Sequence, residues 1–84
     1  MFKHLVKIGN PRGIHLNPAT KIVQFAMSRP ELKIKLKKGD VEVDAASVMS
    51  ILSLELRKDT EVIVVMEKED KEALNFIEKV LEGQ

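Results

Sequence analysis

Eighty-four residues with 44% hydrophobic side chains build one domain around one core, and a chain this short buries only about 60% of the surface it exposes when unfolded. Fourteen basic against thirteen acidic residues leave a net charge of +1, and the three aromatic residues are all Phe, which argues against nucleic acid as the main partner. The absence of cysteine removes disulfides and thiolate metal sites, and no stretch approaches the roughly 20 apolar residues of a membrane span.

Phe2, His4, Val6 and Ile8 share one face of a first strand by period-two alternation. Lys3, His4 and Lys7 interrupt any long apolar run there, so the segment does not read as a signal peptide and a cytoplasmic location is expected. Asn10-Pro11-Arg12-Gly13 makes a loop. A helix is predicted from about Leu16 to Ser28, with Pro18 tolerated in its first turn and Ala19, Ile22, Val23 and Ala26 facing the core. Ser28-Arg29-Pro30 ends it. Leu32, Ile34 and Leu36 then alternate with lysines in a second strand, whose Lys33, Lys35, Lys37 and Lys38 read as a solvated stripe of the kind that protects an edge.

Gly39-Asp40 turns the chain into a third strand, where Val41 and Val43 alternate with Glu42 and Asp44, and the pair reads as a hairpin. Ser47 is the expected N-cap of a short helix from Val48 to about Leu54. That helix has too many apolar residues for one buried face, so some of Val48, Met49 and Leu52 must be exposed as a docking patch or as surface overflow. Arg57-Lys58-Asp59 is a polar loop, and Glu61 to Met66, apolar at consecutive positions, is a central strand. Asp70 caps a last helix with Ala73, Leu74, Ile77, Val80 and Leu81 along one stripe. The order βαββαβα implies an α+β sandwich, with helices on one face of a four-stranded antiparallel sheet.

His15 is the residue best suited to chemistry. It stands where the free N–H groups of a helix start point outward, a natural place to hold phosphate. Imidazole titrates near neutrality and keeps a lone pair for taking and returning a phosphoryl group. Arg12, the N–H groups of Leu16 and Asn17, and the Asn17 amide are the candidate phosphate donors. By spacing alone, a lone histidine at a helix start such as His15 is more often a surface cap than a catalytic group. His4, on a strand face with Phe2 and Val6, reads as structural or solvent-facing, and no metal site is expected.

Gly13-Ile14-His15-Leu16-Asn17-Pro18-Ala19-Thr20 resembles the G-[IL]-H-x-R-P-A signature of HPr, the histidine-containing phosphocarrier family of the phosphoenolpyruvate-dependent sugar phosphotransferase system. Ala46-Ser47-Val48-Met49-Ser50-Ile51-Leu52-Ser53-Leu54 is similar to the family's second segment, x-S-[IV]-M-x-[IL]-x-S-L, and the element order is also shared. The resemblance covers residues 1–84 as a single HPr-like domain and implies an open-faced β-sandwich. It further implies a monomer that needs no cofactor and is a carrier in place of an enzyme. His15 would accept a phosphoryl group on Nδ1 from phosphorylated enzyme I and pass it to sugar-specific permease components of the enzyme IIA type. Leu16, Val48, Met49 and Leu52 match the family's docking surface. Ser47 matches the serine modified by HPr kinase/phosphorylase, where phosphate would add about −1.5 to −2 charge.

This chain departs from the family at three places. The arginine two positions after the active histidine is Asn17, Ser50 stands where kinase-regulated relatives have glycine, and Ala46 where they often have lysine. Arg12 is the candidate to restore the missing charge. The alternative reading is a regulatory HPr-like paralogue that acts by protein binding, with phosphorylation at Ser47 or weak phosphorylation at His15. An acylphosphatase-like hydrolase would share the sandwich, an arginine and an asparagine, but its phosphate loop is absent.

Overall fold

Every residue from Met1 to Gln84 is described by the computed structural model. The chain runs β1 (Phe2–Lys7), α1 (Leu16–Ser28), a 3-10 turn (Pro30–Leu32), β2 (Lys35–Lys38), β3 (Val41–Asp44), α2 (Val48–Ser53), β4 (Glu61–Met66) and α3 (Lys71–Glu82). The strands form one sheet in the order β1-β4-β2-β3, each neighbouring pair antiparallel. The three helices cover one face, and the result is the open-faced α+β sandwich expected from the order of elements. No helix is long and apolar enough to cross a membrane.

β4 is central, and its composition follows from that place. Val62, Val64 and Met66 point into the core beneath the helices, where burying each such side chain contributes about 1.5–3 kcal/mol. Val65 points the other way yet is also buried, flanked in register by Lys3 of β1 and Lys35 of β2. Buried on both faces, the strand carries no polar alternation. Ala19, Ile22, Val23 and Ala26 of α1 and Ala73, Ile77 and Leu81 of α3 meet it from the helix layer.

The second strand begins later than the alternation of Leu32, Ile34 and Leu36 suggests. Leu32 closes the 3-10 turn that Pro30 opens, and Lys33 adopts left-handed backbone at φ 48°, so pairing starts only at Lys35. Leu32 is buried all the same, and its carbonyl accepts from Glu67 N at 2.8 Å, just past the end of β4. Alternation reported which side chains are inward, and the proline decided that the backbone there is a turn. The lysine stripe is also reinterpreted. β2 lies inside the sheet, and only Lys35 and Lys37 stand on its open face. Lys38 turns toward the helices, donating to the carbonyls of Leu54 at 2.8 Å and Glu55 at 3.3 Å, which otherwise end α2 without partners.

Asp70 caps α3 as expected, its Oδ1 accepting from Ala73 N at 3.0 Å. Arg29, just past α1, fastens this cap to the rest of the molecule. Its guanidinium donates to Asp70 at 2.5 Å, Glu31 at 2.7 Å and Glu72 at 3.1 Å. The Ala73 N–H, followed by Arg29, holds the Asp70 carboxyl below its ordinary range. Arg29 itself does the same to Glu31.

Candidate functional site

The loop from Ile8 to Ile14 is held on two sides by backbone. Gly9 N donates to Leu81 O at 3.1 Å, and a Cβ on Gly9 would lie 2.6 Å from Glu82 O, so the loop abuts the end of α3 only because residue 9 has no side chain. On its other flank the loop runs antiparallel to residues 56–60. Ile8 N donates to Thr60 O, Asp59 N to Ile8 O and Ile14 N to Leu56 O, each at 2.8 Å. Gly13, at φ 68°, makes the last of these contacts possible, because a Cβ there would meet Leu56 O at 2.5 Å. Within the loop, Asn10 Oδ1 accepts from Arg12 N at 3.0 Å and Asn10 O from Gly13 N at 2.8 Å, which closes the turn.

This scaffold delivers His15 to the N-cap position of α1, with extended backbone and an exposed side chain. The imidazole does not cap its own helix. The N–H groups of Leu16 and Asn17 have no acceptor within the chain, and Pro18 has no N–H to offer. A dipole end with two open donors therefore lies beside a free ring nitrogen. The Arg12 and Asn17 side chains are exposed, and Arg12 is in no ion pair. None of the surface grooves is lined by His15, so any partner meets it on open surface.

The apolar residues singled out on α2 divide as its short length demands. Ile51 and Leu54 are buried, Val48 and Leu52 lie half-buried at the edge of the core, and Met49 is 76% exposed. Leu16, next to His15, is 59% exposed, and α1 packs against α2. Ser47 caps α2 by accepting from Ser50 N at 3.2 Å. His4 belongs to a different neighbourhood. It stacks on Phe2 with ring centroids 6.4 Å apart, and its Nε2 lies 3.0 Å from Glu78 Oε2 of α3. No three His, Cys, Asp or Glu side chains come together as a metal site.

The sequence reading did not single out Glu55 and Arg57, which the fold brings near the loop that carries His15. Glu55 has φ 52°, a conformation its residue type does not announce, whereas Asp59 at φ 71° is of a type that tolerates left-handed backbone. Arg57 looks like ordinary loop polarity until the backbone of residues 56–57 is seen against Gly13.

Comparison with known proteins points the same way over the whole chain. A family model described as the PTS HPr component phosphorylation site matches residues 2–83. The phosphocarrier protein HPr of Treponema pallidum (strain Nichols) is 34% identical over 80 residues, covering 94% of this chain and 90% of the relative. That of Mycoplasma pneumoniae is 36% identical over 84 residues, covering 98% and 94%. Among solved structures, HPr-C-His from Thermoanaerobacter tengcongensis superposes with a TM-score of 0.83 at 30% identity, covering 99% of this chain and 93% of that one.

Proposed function

The chain belongs to the HPr phosphocarrier family of the phosphotransferase system, and from that premise we propose that His15 is the residue that carries the phosphoryl group. The donor is phosphorylated enzyme I and the acceptors are sugar-specific permease components of the enzyme IIA type. The observation that carries this reading is the exposed His15 imidazole, uncommitted to its own helix, beside the open N–H groups of Leu16 and Asn17.

A neutral imidazole has one ring nitrogen with a free lone pair, Nδ1 by the family pattern. That nitrogen attacks the phosphorus of the donor's phosphoryl group. The bond from phosphorus to the donor atom breaks, and the donor atom keeps the electron pair. Delivery to the acceptor is the same step with His15 as the leaving group. The phosphoryl oxygens on His15 accept from the Leu16 and Asn17 N–H groups, the Asn17 amide and the Arg12 guanidinium. An open site suits this work, because each partner must bring its own reacting atom to the same nitrogen. Leu16, Val48, Met49 and Leu52 form the surface on which those partners dock, and exposed Met49 adapts to more than one of them.

The test is incubation with enzyme I and phosphoenolpyruvate, followed by phosphorus NMR. Acid-labile phosphate is expected on wild type and on His4→Ala, and none on His15→Ala. If wild type takes no phosphate while a family control does, the relay reading is wrong and the regulatory binding reading, which Asn17 favours, replaces it. Ser47 is the second acceptor in this proposal, since phosphate on an N-cap oxygen would keep its acceptor role toward the helix. An unmodified Ser47 peptide after treatment with HPr kinase and ATP would remove that part.

A further inference from the structure

We propose that Arg57 is a phosphate-binding residue for His15, held in reserve by Glu55 and released to the phosphoryl group when it arrives. The inference rests on the His15 relay. Three arginines exist in the chain, and Arg29 is committed to three carboxylates at the other end of α1. The remaining two, Arg12 and Arg57, both stand on the loops that flank His15. Ile14 N donates to Leu56 O at 2.8 Å, and the Cα of Arg57 lies 3.0 Å from where a Gly13 Cβ would sit. Leu56 is turned into the core, and the next side chain, Arg57, is turned out and 81% exposed. His15 follows Gly13 by two residues, so their Cα atoms are at most about 7 Å apart, and the long arginine side chain and the phosphorylated imidazole close the remaining gap by reaching toward each other.

Arg57 has one partner, Glu55, whose Oε1 lies 3.7 Å from a guanidinium nitrogen with both side chains exposed. That is a loose pair beyond hydrogen-bond length. A phosphoryl dianion on His15 offers twice the charge and three acceptor oxygens in a shape that a guanidinium can grip with two parallel bonds. It therefore competes well against one distant carboxylate. Arg57 brings the cation that Asn17 does not, and it comes from the opposite loop to Arg12.

Phosphoramidate phosphorylates histidine without a protein donor, so it can load wild type, Arg57→Ala, Arg57→Lys and Glu55→Gln independently of enzyme I. Phosphorus NMR then follows the second ionisation of the phosphoryl group against pH. A nearby cation favours the dianion, so Arg57→Ala is expected to raise its proton affinity about threefold to tenfold. Arg57→Lys should restore part of this difference, and Glu55→Gln should shift it the other way. Thermal midpoints should be unchanged, because Arg57 is exposed. A titration of Arg57→Ala that superimposes on wild type overturns the proposal. Failure of enzyme I to label wild type, with the titration difference intact, overturns the relay and leaves the phosphate contact standing.

Discussion

Gly13→Ala tests how the fold holds the histidine in place. Two separate costs fall on it. The residue stands at φ 68°, where an L side chain is strained, and its Cβ would lie 2.5 Å from the Leu56 carbonyl oxygen. The strain costs roughly 1–3 kcal/mol. Relieving the collision pushes residues 13–15 off residues 56–57 and breaks the 2.8 Å bond from Ile14 N to Leu56 O, at a further 1–3 kcal/mol or so for the unpaired groups. Gly39, in the turn between β2 and β3, provides the control: its φ is 58°, but a Cβ there meets nothing within 4 Å. Gly39→Ala pays the strain without the collision. Urea unfolding should therefore find Gly13→Ala less stable than Gly39→Ala by at least about 1 kcal/mol. Since one kcal/mol moves the midpoint of a domain this size by roughly 4–8 °C, thermal scans will resolve the difference. The rate of His15 phosphorylation should fall in Gly13→Ala and stay at the wild-type value in Gly39→Ala. Equal losses of stability in the two variants would refute the view that close approach to Leu56 is what requires glycine at position 13.

Three further outcomes follow from the same structure. Arg29→Ala should destabilise the protein at neutral pH and much less in acid. The folded-state pKa values of Asp70 and Glu31 are lowered, so their contribution is complete above the unfolded carboxyl range near 4 and is lost as pH falls through the lower folded values. A stability difference from wild type that stays constant in urea titrations from pH 7 to pH 2 would contradict this. Ser47→Ala should cost about 1 kcal/mol in calorimetry through loss of the cap on Ser50 N, and Ser47→Asp should recover most of it. Met49→Asp should raise the KM for phosphorylation by enzyme I at least tenfold or so by burying a charge in the docking surface, with an unchanged thermal midpoint. An unchanged KM would remove Met49 from that surface.

Local order and the inward face of each element were legible in the sequence, because period-two and helical spacing record which side chains leave water. The caps at Ser47 and Asp70, the apolar stripes of α1 and α3 and the central place of β4 all follow from that kind of signal. The same spacing misplaced the start of the second strand, since an inward Leu32 serves a 3-10 turn as well as it serves a strand. It also grouped Lys38 with its neighbours, although the lysine leaves the open face to bond the end of α2.

What the sequence by itself determined was the order of elements, the core and a histidine at a helix start in the first of two family motifs. Only the tertiary structure decided what surrounds that histidine. The loop carrying it is fixed by backbone bonds to residues 56–60 and by glycines pressed against Leu56 and Glu82, and backbone contacts leave no periodicity to read. The same contacts set Arg57 beside Gly13, although the two are far apart along the chain. Side-chain patterns record burial, which is a property of each residue, whereas the charge around His15 depends on which loops the fold brings together.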